Sequence, residues 1–349
     1  MKILIVTLGS IGDLLPFLPV AEALRLGGHM PVIASNAGYA QLVRMNGFAF
    51  APILDAPQQA LDEAIASDPA RAWKIVREDM FERATQATFD FIAPHAQQGN
   101  CAVLASWSAF GARLAHEKLG VPLFTAYLSP HAVEEGRDAG GQTLGLFPDW
   151  FGPAPDDVRA MGFPLFGDAA VPALPAEVES FLAEGAPPVI FTPGSFTRKS
   201  AAFFRASAEA CRQLNARAIF LTPYRDQIPM DLPPSIRHFS YVSLQRLAPR
   251  GAALVHHAGI GTTVQGLRAG IPQLVAPVFF DQPDNAKRIA ALGVGELVQD
   301  YNATDISPRL AELLGSAAVR QACQHVMSLF AASDPVADIC RTITARGPQ

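Results

Sequence analysis

Three short stretches of this chain combine residue types able to hold an anion, bind hydroxyl groups or move a proton. The first, His256-His257-Ala258-Gly259-Ile260-Gly261-Thr262-Thr263, follows an apolar run and opens a stretch with helical spacing. Glycines there let the backbone approach a ligand, and a helix N-terminus presents unpaired N–H groups at the positive end of its dipole. Phosphate is the natural guest of such a loop. It is neither a Walker A loop, having no Gly-Lys-Ser/Thr, nor a GxGxxG fingerprint. A redox dinucleotide reading also lacks an acidic residue at the end of a second strand. An ordinary strand-to-helix turn is the plainer alternative. The adjacent histidines do not suggest a metal, because consecutive strand residues point to opposite faces and no carboxylate stands at ligand spacing.

The second stretch, Phe280-Asp281-Gln282-Pro283-Asp284-Asn285, follows a strand. Open α/β sheets bind ligands at that end of a strand. Asp281 and Gln282 supply acceptor and donor groups suited to sugar hydroxyls. The plainer reading is a helix cap, with Asp284 capping a helix that starts near Ala286. Both can hold, since different residues carry the two roles. The third stretch, Gly9-Ser10-Ile11-Gly12-Asp13, follows the first strand. Asp13 at a helix start reads most simply as a cap, and at the mouth of a cleft it would serve as a general base.

The elements that must position these stretches are short apolar runs alternating with amphipathic ones, the pattern of βα units on a parallel sheet. The first set predicts strands at Lys2–Val6, Pro31–Ala34, Ala102–Ala105 and Val121–Tyr127. It predicts helices over Leu14–Leu26, ended by Gly27-Gly28, and from about Trp107 to Leu119, stopped by Gly120. A second set predicts strands at Val189–Thr192, Ala218–Thr222, Ala252–His256 and Gln273–Pro277. Its helices are Ser200–Leu214 and Thr262–Ala269, and the last forty residues read as mainly helical. Between the sets, Pro148 to Pro188 holds eight of the chain's 29 prolines. Such a run suits neither a helix interior nor a central strand, so it reads as an extended connection with a short helix at Pro175–Ala183. Ile3–Ser10 and Val189–Ser195 echo each other, each an apolar strand followed by Thr-x-Gly-Ser.

The chain's 349 residues fit two domains of ordinary size. Half are apolar and 17% are charged, which excludes wholesale disorder. A net charge of −5 with no basic stripe argues against nucleic-acid binding. The four cysteines, Cys101, Cys211, Cys323 and Cys340, lie far apart without a CxxC pair and read as reduced thiols. The apolar start Ile3–Val6 is too short for a signal peptide, and no run approaches the ~18 apolar residues that span a bilayer. The expectation is a soluble, cytoplasmic protein with no transmembrane segment, which leaves room for peripheral association with a membrane face.

Together, and in this order, the three stretches resemble a family 1 glycosyltransferase of the GT-B fold. Tyr241 through Asn285 is similar to that family's donor-binding signature. Gly9-Ser10-Ile11-Gly12-Asp13 with Pro16 is similar to its Gly-Ser-x-Gly-Asp-x-x-Pro first loop. More narrowly, Ser106–Pro130 and Leu144–Phe166 resemble the rhamnosyltransferases of rhamnolipid synthesis. The resemblance implies an α/β fold of two Rossmann-like domains facing across a cleft. These are an acceptor-binding domain over 1–150, a Pro-rich linker over 151–187, a nucleotide-sugar domain over 188–330, and a C-terminal helix over 331–349 packing back on the first domain.

It also implies an inverting, metal-independent transfer of a sugar, rhamnose in the narrower branch, from a dTDP- or UDP-linked donor to a hydroxyl of a lipid or other hydrophobic acceptor. No cofactor beyond the nucleotide-sugar is implied. Asp13 would be the general base, with Ser10, Gly12 and Trp107 on the acceptor side. Tyr241 would lie against the nucleotide base and the Val242 backbone would pair with its edge. His257, Gly259, Gly261 and Thr262 would hold the diphosphate with Ser195, and Asp281 and Gln282 the sugar. The physics agrees: a departing diphosphate needs preorganised positive donors, and the nucleophile needs a base and close alignment.

Some positions depart from the family pattern. Ala258 stands where glycine is usual, and Ser243-Leu244 replace Pro-Gln. Gln265 occupies a position held by glutamate in uridine-specific members, which points to a deoxyribose donor such as dTDP-sugar. The plainer reading of Gln265 is an exposed helix residue. Related chains carry a long helical insertion where this one has only His131 to Gly141. Either the acceptor side is open, or a stretch of chain is absent from this sequence. Two other functions fit the pattern: a non-catalytic nucleotide-sugar-binding subunit, and a GT-B sugar epimerase, against which Asp13 with Pro16 argues.

Overall fold

The computed structural model describes residues 1–55, 69–137, 140–167, 171–194, 200–298 and 301–345, with only the backbone at 69 and 70. The chain divides into two compact units, Met1–Phe166 with Ser333–Gln349, and Gly167–Ala332.

The first unit is built on a parallel sheet of seven strands. These are β1 (Lys2–Val6), β2 (Met30–Asn36), β3 (Ala49–Leu54), β4 (Cys101–Ser106), β5 (Leu123–Tyr127), β6 (Gln142–Gly145) and β7 (Val158–Ala160), ordered β3-β2-β1-β4-β5-β6-β7. β4 and β5 are buried along their whole length, which explains why they are mostly apolar: a parallel sheet is covered on both faces. β1 lies between β2 and β4, where the strand order reverses. The crevice beyond such a switch point is where open sheets bind ligands, and the Gly9–Asp13 loop leaves β1 there.

The second unit repeats this plan with β8 (Val189–Thr192), β9 (Ala218–Leu221), β10 (Ile236–Phe239), β11 (Ala253–His256), β12 (Gln273–Val275) and β13 (Gly295–Leu297), ordered β10-β9-β8-β11-β12-β13. Its switch point falls between β8 and β11, with Thr192 beside His256. The two strands that carry the Thr-x-Gly-Ser echo thus hold the same central place in their sheets. Val189 and Phe191 enter one core cluster and Ile190 the other, the two-residue alternation of a sheet buried on both faces.

Several elements differ from the sequence expectation. The helix expected over Leu14–Leu26 is two, Ile11–Leu14 and Phe17–Leu26. Pro16 has no N–H to donate to the preceding turn, so the first helix stops and a second begins. The helix expected from Trp107 starts at Phe110, while Gly120 ends it in the left-handed conformation at φ 68°, as glycine permits. Part of the proline-rich run belongs to the first sheet: β7 pairs with β6 as an edge strand, the place where a strand tolerates flanking prolines. The helix Pro335–Thr344 packs within the first unit, with Cys340 Sγ 3.8 Å from the Val20 carbonyl and Arg159 donating to Thr342 Oγ1 at 3.1 Å.

The short connection after β5 begins with the helix Pro130–Glu135, capped by Ser129. Tyr127 donates its hydroxyl proton to the Gly136 carbonyl at 2.7 Å, and Thr125 donates to that of Gly140 at 2.7 Å. Two β5 side chains therefore anchor this connection; its residues 138 and 139 lie outside the described ones.

Candidate functional site

On the first unit, Asp13 sits at the third position of the Ile11–Leu14 helix, and Ser10 is its N-cap. The Ser10 N–H donates to Asp13 Oδ2 at 2.7 Å and the Ser10 hydroxyl at 2.8 Å. Ser10 Oγ in turn accepts the Gly12 N–H at 3.1 Å. The cap and the candidate base are thus one arrangement. Burial raises the Asp13 carboxyl above its ordinary range, and the Ser10 bonds oppose that shift. Gly9, at φ 128°, leaves room for the carboxylate: a Cβ there would lie 2.4 Å from Asp13 Oδ2.

Tyr39, which sequence reasoning missed, donates its hydroxyl to the Gly9 carbonyl at 3.3 Å. Its bond to Gly9 sets it at the loop that carries Asp13, and burial and then the Asp13 charge hold its phenol above the ordinary value. It follows β2, and only the pairing of β2 with β1 brings it there. Trp107 packs among aromatics, with ring centroids 6.5 Å from a tilted Trp73 and 5.6 Å from an edge-on Phe81. Gly136 makes space for it, since a Cβ there would come within 2.7 Å of the indole.

On the second unit, β11 ends on His256, and His257 opens the loop that follows. His256 is fully buried; its Nδ1 accepts the Ala258 N–H at 3.1 Å and its Nε2 donates to Gln273 Oε1 at 2.8 Å. Those partners fix the tautomer. Burial first, then the neighbouring His257, lowers its pKa to about 3. The His257 ring sits between two glycines: a Cβ on Gly194 or on Gly259 would fall 2.4 Å from it. Burial lowers its pKa to about 4, so it stays neutral near pH 7. His257 Nδ1 has no hydrogen-bond partner among the described residues.

Gly259 is the N-cap of the helix Ile260–Ala269, and among the described residues no side chain caps that end. The first-turn amides, including those of Gly261 and Thr262, are therefore presented at the positive end of the helix. Among the described residues, four non-glycine ones have left-handed φ angles: Asn100, Asn215, Ala258 and Phe280. Asparagine tolerates that conformation, whereas alanine and phenylalanine do so at a cost of about 1 kcal/mol or more. The latter two lie in the two candidate ligand loops.

Beyond β12, Asp281 is the N-cap residue of the helix Gln282–Ala291. This corrects the expected start near Ala286: Asp284 does not cap the helix but pairs with Arg288 at 2.7 Å, one turn along. Gln282 Oε1 accepts the N–H groups of Val278 at 2.8 Å and Phe279 at 3.3 Å, which shapes the turn before Asp281. The buried Asn285 amide donates to the Ala258 carbonyl at 3.0 Å and to Asp281 Oδ2 at 2.9 Å. Through Asn285 the structure therefore links Asp281 to Ala258, the residue that His257 and Gly259 flank in the chain. Asn285 stands four residues after Asp281, a spacing that shares one helix face once the helix start is known.

Other expected donor residues lie elsewhere on this unit. Tyr241 is 82% exposed in the loop after β10, and Val242 is buried in a core cluster. Gln265 lines a cavity of about 570 Å³ with Gln245, Arg246 and Arg268. Ser195 lies outside the described residues. Among the described residues, no group of three or more His, Cys, Asp or Glu could hold a metal ion, and no helix is long and apolar enough to cross a membrane.

Comparison with known proteins agrees with this layout. Residues 3–135 match the glycosyltransferase family 28 N-terminal domain, and residues 213–345 match the erythromycin biosynthesis protein CIII-like C-terminal domain. The glycosyltransferase GtfC of Amycolatopsis orientalis is 30% identical over 359 residues, covering 84% of this chain and 85% of its own. GtfE of the same organism is 28% identical over 360 residues, with the same coverage. The solved structure of the spinosyn rhamnosyltransferase SpnG complexed with thymidine diphosphate superposes with a TM-score of 0.76 at 22% identity, covering 98% of this chain and 99% of that one. The chain belongs to the antibiotic-type glycosyltransferases of family 1, and its fold is GT-B.

Proposed function

We propose that this glycosyltransferase moves a sugar, rhamnose in the first instance, from a dTDP-linked donor to a hydroxyl of a lipid or other hydrophobic acceptor, with inversion and without a metal. The observation that carries the reading is the uncapped N-terminus of Ile260–Ala269 beside the glycine-flanked, neutral His257 ring. Helix amides and an imidazole can there receive the charge of a departing diphosphate.

Proton removal is assigned to Asp13 on the first unit. The acceptor O–H gives its proton to the Asp13 carboxylate, and the oxygen attacks the anomeric carbon from the face opposite the diphosphate. The carbon–oxygen bond to the diphosphate breaks, and its electron pair leaves with the phosphate. Asp281 and Gln282 are assigned to the sugar hydroxyls and Tyr241 to the base. The neutral Gln265 favours dTDP over UDP, and the fold-level likeness to a rhamnosyltransferase solved with thymidine diphosphate supports the same choice. UDP remains the second donor, and no resident cofactor is assigned.

The test is a calorimetric screen of dTDP, UDP and their sugars, followed by a transfer assay with hydroxylated lipids. Tighter binding of dTDP than of UDP is expected. A preference for UDP would sink the Gln265 assignment, and binding of no nucleotide would sink the whole reading. Donor binding without transfer to any acceptor would favour the non-catalytic subunit, and product formed from donor alone the epimerase.

A further inference from the structure

Ala258 is an alanine in a left-handed turn, and both of its backbone polar groups are held by buried side chains. Its N–H donates to His256 Nδ1 at 3.1 Å, and its carbonyl accepts from Asn285 Nδ2 at 3.0 Å. The same Asn285 nitrogen donates to Asp281 Oδ2 at 2.9 Å. Both of those neighbours are acceptors, so the amide must turn its NH₂ group towards them. Asn285 is fully buried, and its other amide atom, Oδ1, has no partner among the described residues.

We propose that Asn285 is a positioning residue that couples the diphosphate turn at Ala258 to the carboxylate of Asp281, a role that rests on the nucleotide-sugar reading above. The bond broken in transfer joins the sugar to the diphosphate. The groups that hold those two parts must therefore keep a fixed spacing, and misplacement by an ångström is costly. Two donor protons on one nitrogen fix that spacing without a long lever. A purely structural asparagine would instead support the helix Gln282–Ala291 and leave ligand discrimination unchanged.

The experiment compares wild type, Asn285→Ala, Asp281→Ala and the double variant in the full chain. Calorimetry with dTDP and dTDP-rhamnose measures how much the sugar adds to affinity. Asn285→Ala is expected to weaken dTDP binding and to cut the sugar's contribution by about tenfold, the scale of a lost buried hydrogen bond to a charged group. In the Asp281→Ala background it should change that contribution no further. Amide exchange in the unliganded chain should quicken across residues 257–262. An unchanged sugar contribution, or additive losses in the double variant, overturns the proposal. If Asn285→Ala does not fold, Asn285→Ser, whose hydroxyl can donate to only one of the two acceptors, carries the same comparison. If wild type binds neither nucleotide, the functional reading falls, and the exchange rates alone decide whether Asn285 holds the turn: unchanged rates reject it.

Discussion

Ser10 grips a single oxygen of Asp13 twice, through its backbone N–H at 2.7 Å and its hydroxyl at 2.8 Å. The second carboxylate oxygen takes no hydrogen bond among the described residues. One oxygen fixes the carboxylate, and the other is left to accept a proton.

Asp13→Asn should therefore abolish transfer while leaving donor binding intact. A general base contributes roughly 10²–10⁴-fold to rate, so a loss of at least about a hundredfold in kcat is expected. Because burial raises the Asp13 carboxyl, the acid limb of the wild-type rate should lie above the ordinary carboxylate range. Full turnover by the variant would remove Asp13 from its role.

The same shift has a thermodynamic consequence. A carboxyl whose folded pKa is raised favours the folded state when protonated, and that contribution is lost as pH rises through the folded value. Asp13→Asn should thus raise Tm at pH 7, with the gain shrinking as pH falls towards the ordinary carboxylate value. Differential scanning calorimetry at pH 7 and pH 4.5 separates this from a gain that is constant with pH.

His256 and His257 are held neutral, with pKa values of about 3 and about 4 against an ordinary 6.5, burial being the main cause of both. Between pH 6.5 and 4 the unfolded chain takes up protons that the folded chain refuses, so stability falls as pH falls through that window. His257→Gln removes one contribution. Urea unfolding at pH 7 and pH 5 should show a smaller loss in the variant, and equal losses would count against a neutral His257.

Ala258 adopts φ 64° where glycine would be unstrained. Ala258→Gly should stabilise the second unit by up to about 1 kcal/mol, less whatever glycine loses through its freer unfolded chain. Gly259→Ala should do the opposite for function, because its Cβ would strike the His257 ring at 2.4 Å. Weaker dTDP binding by Gly259→Ala, with Ala258→Gly unimpaired, is the expected calorimetric result.

The strands that carry the loops were legible because a parallel sheet buried on both faces demands unbroken apolar runs, as in Leu4, Ile5 and Val6 or Leu254 and Val255. Helix bounds were less so. Asp281 and Asp284 look alike as caps, and only the observed start at Gln282 separates the N-cap from the residue that pairs with Arg288.

The sequence alone determined the chemistry on offer: a glycine-bearing helix start, an acid after the first strand, and an acid–amide pair after a later one. Each is local, a few residues beside one strand end, so its signal lies within a short window. Tertiary structure decided what no window contains. Pairing of β1 with β2 sets Tyr39 beside Asp13, and pairing of β8 with β11 seats His257 between Gly194 and Gly259. The neighbouring strands β11 and β12 bring Asn285 under Ala258. Contacts across parallel strands join residues dozens of positions apart, and their register follows from burying the whole sheet rather than from any single motif.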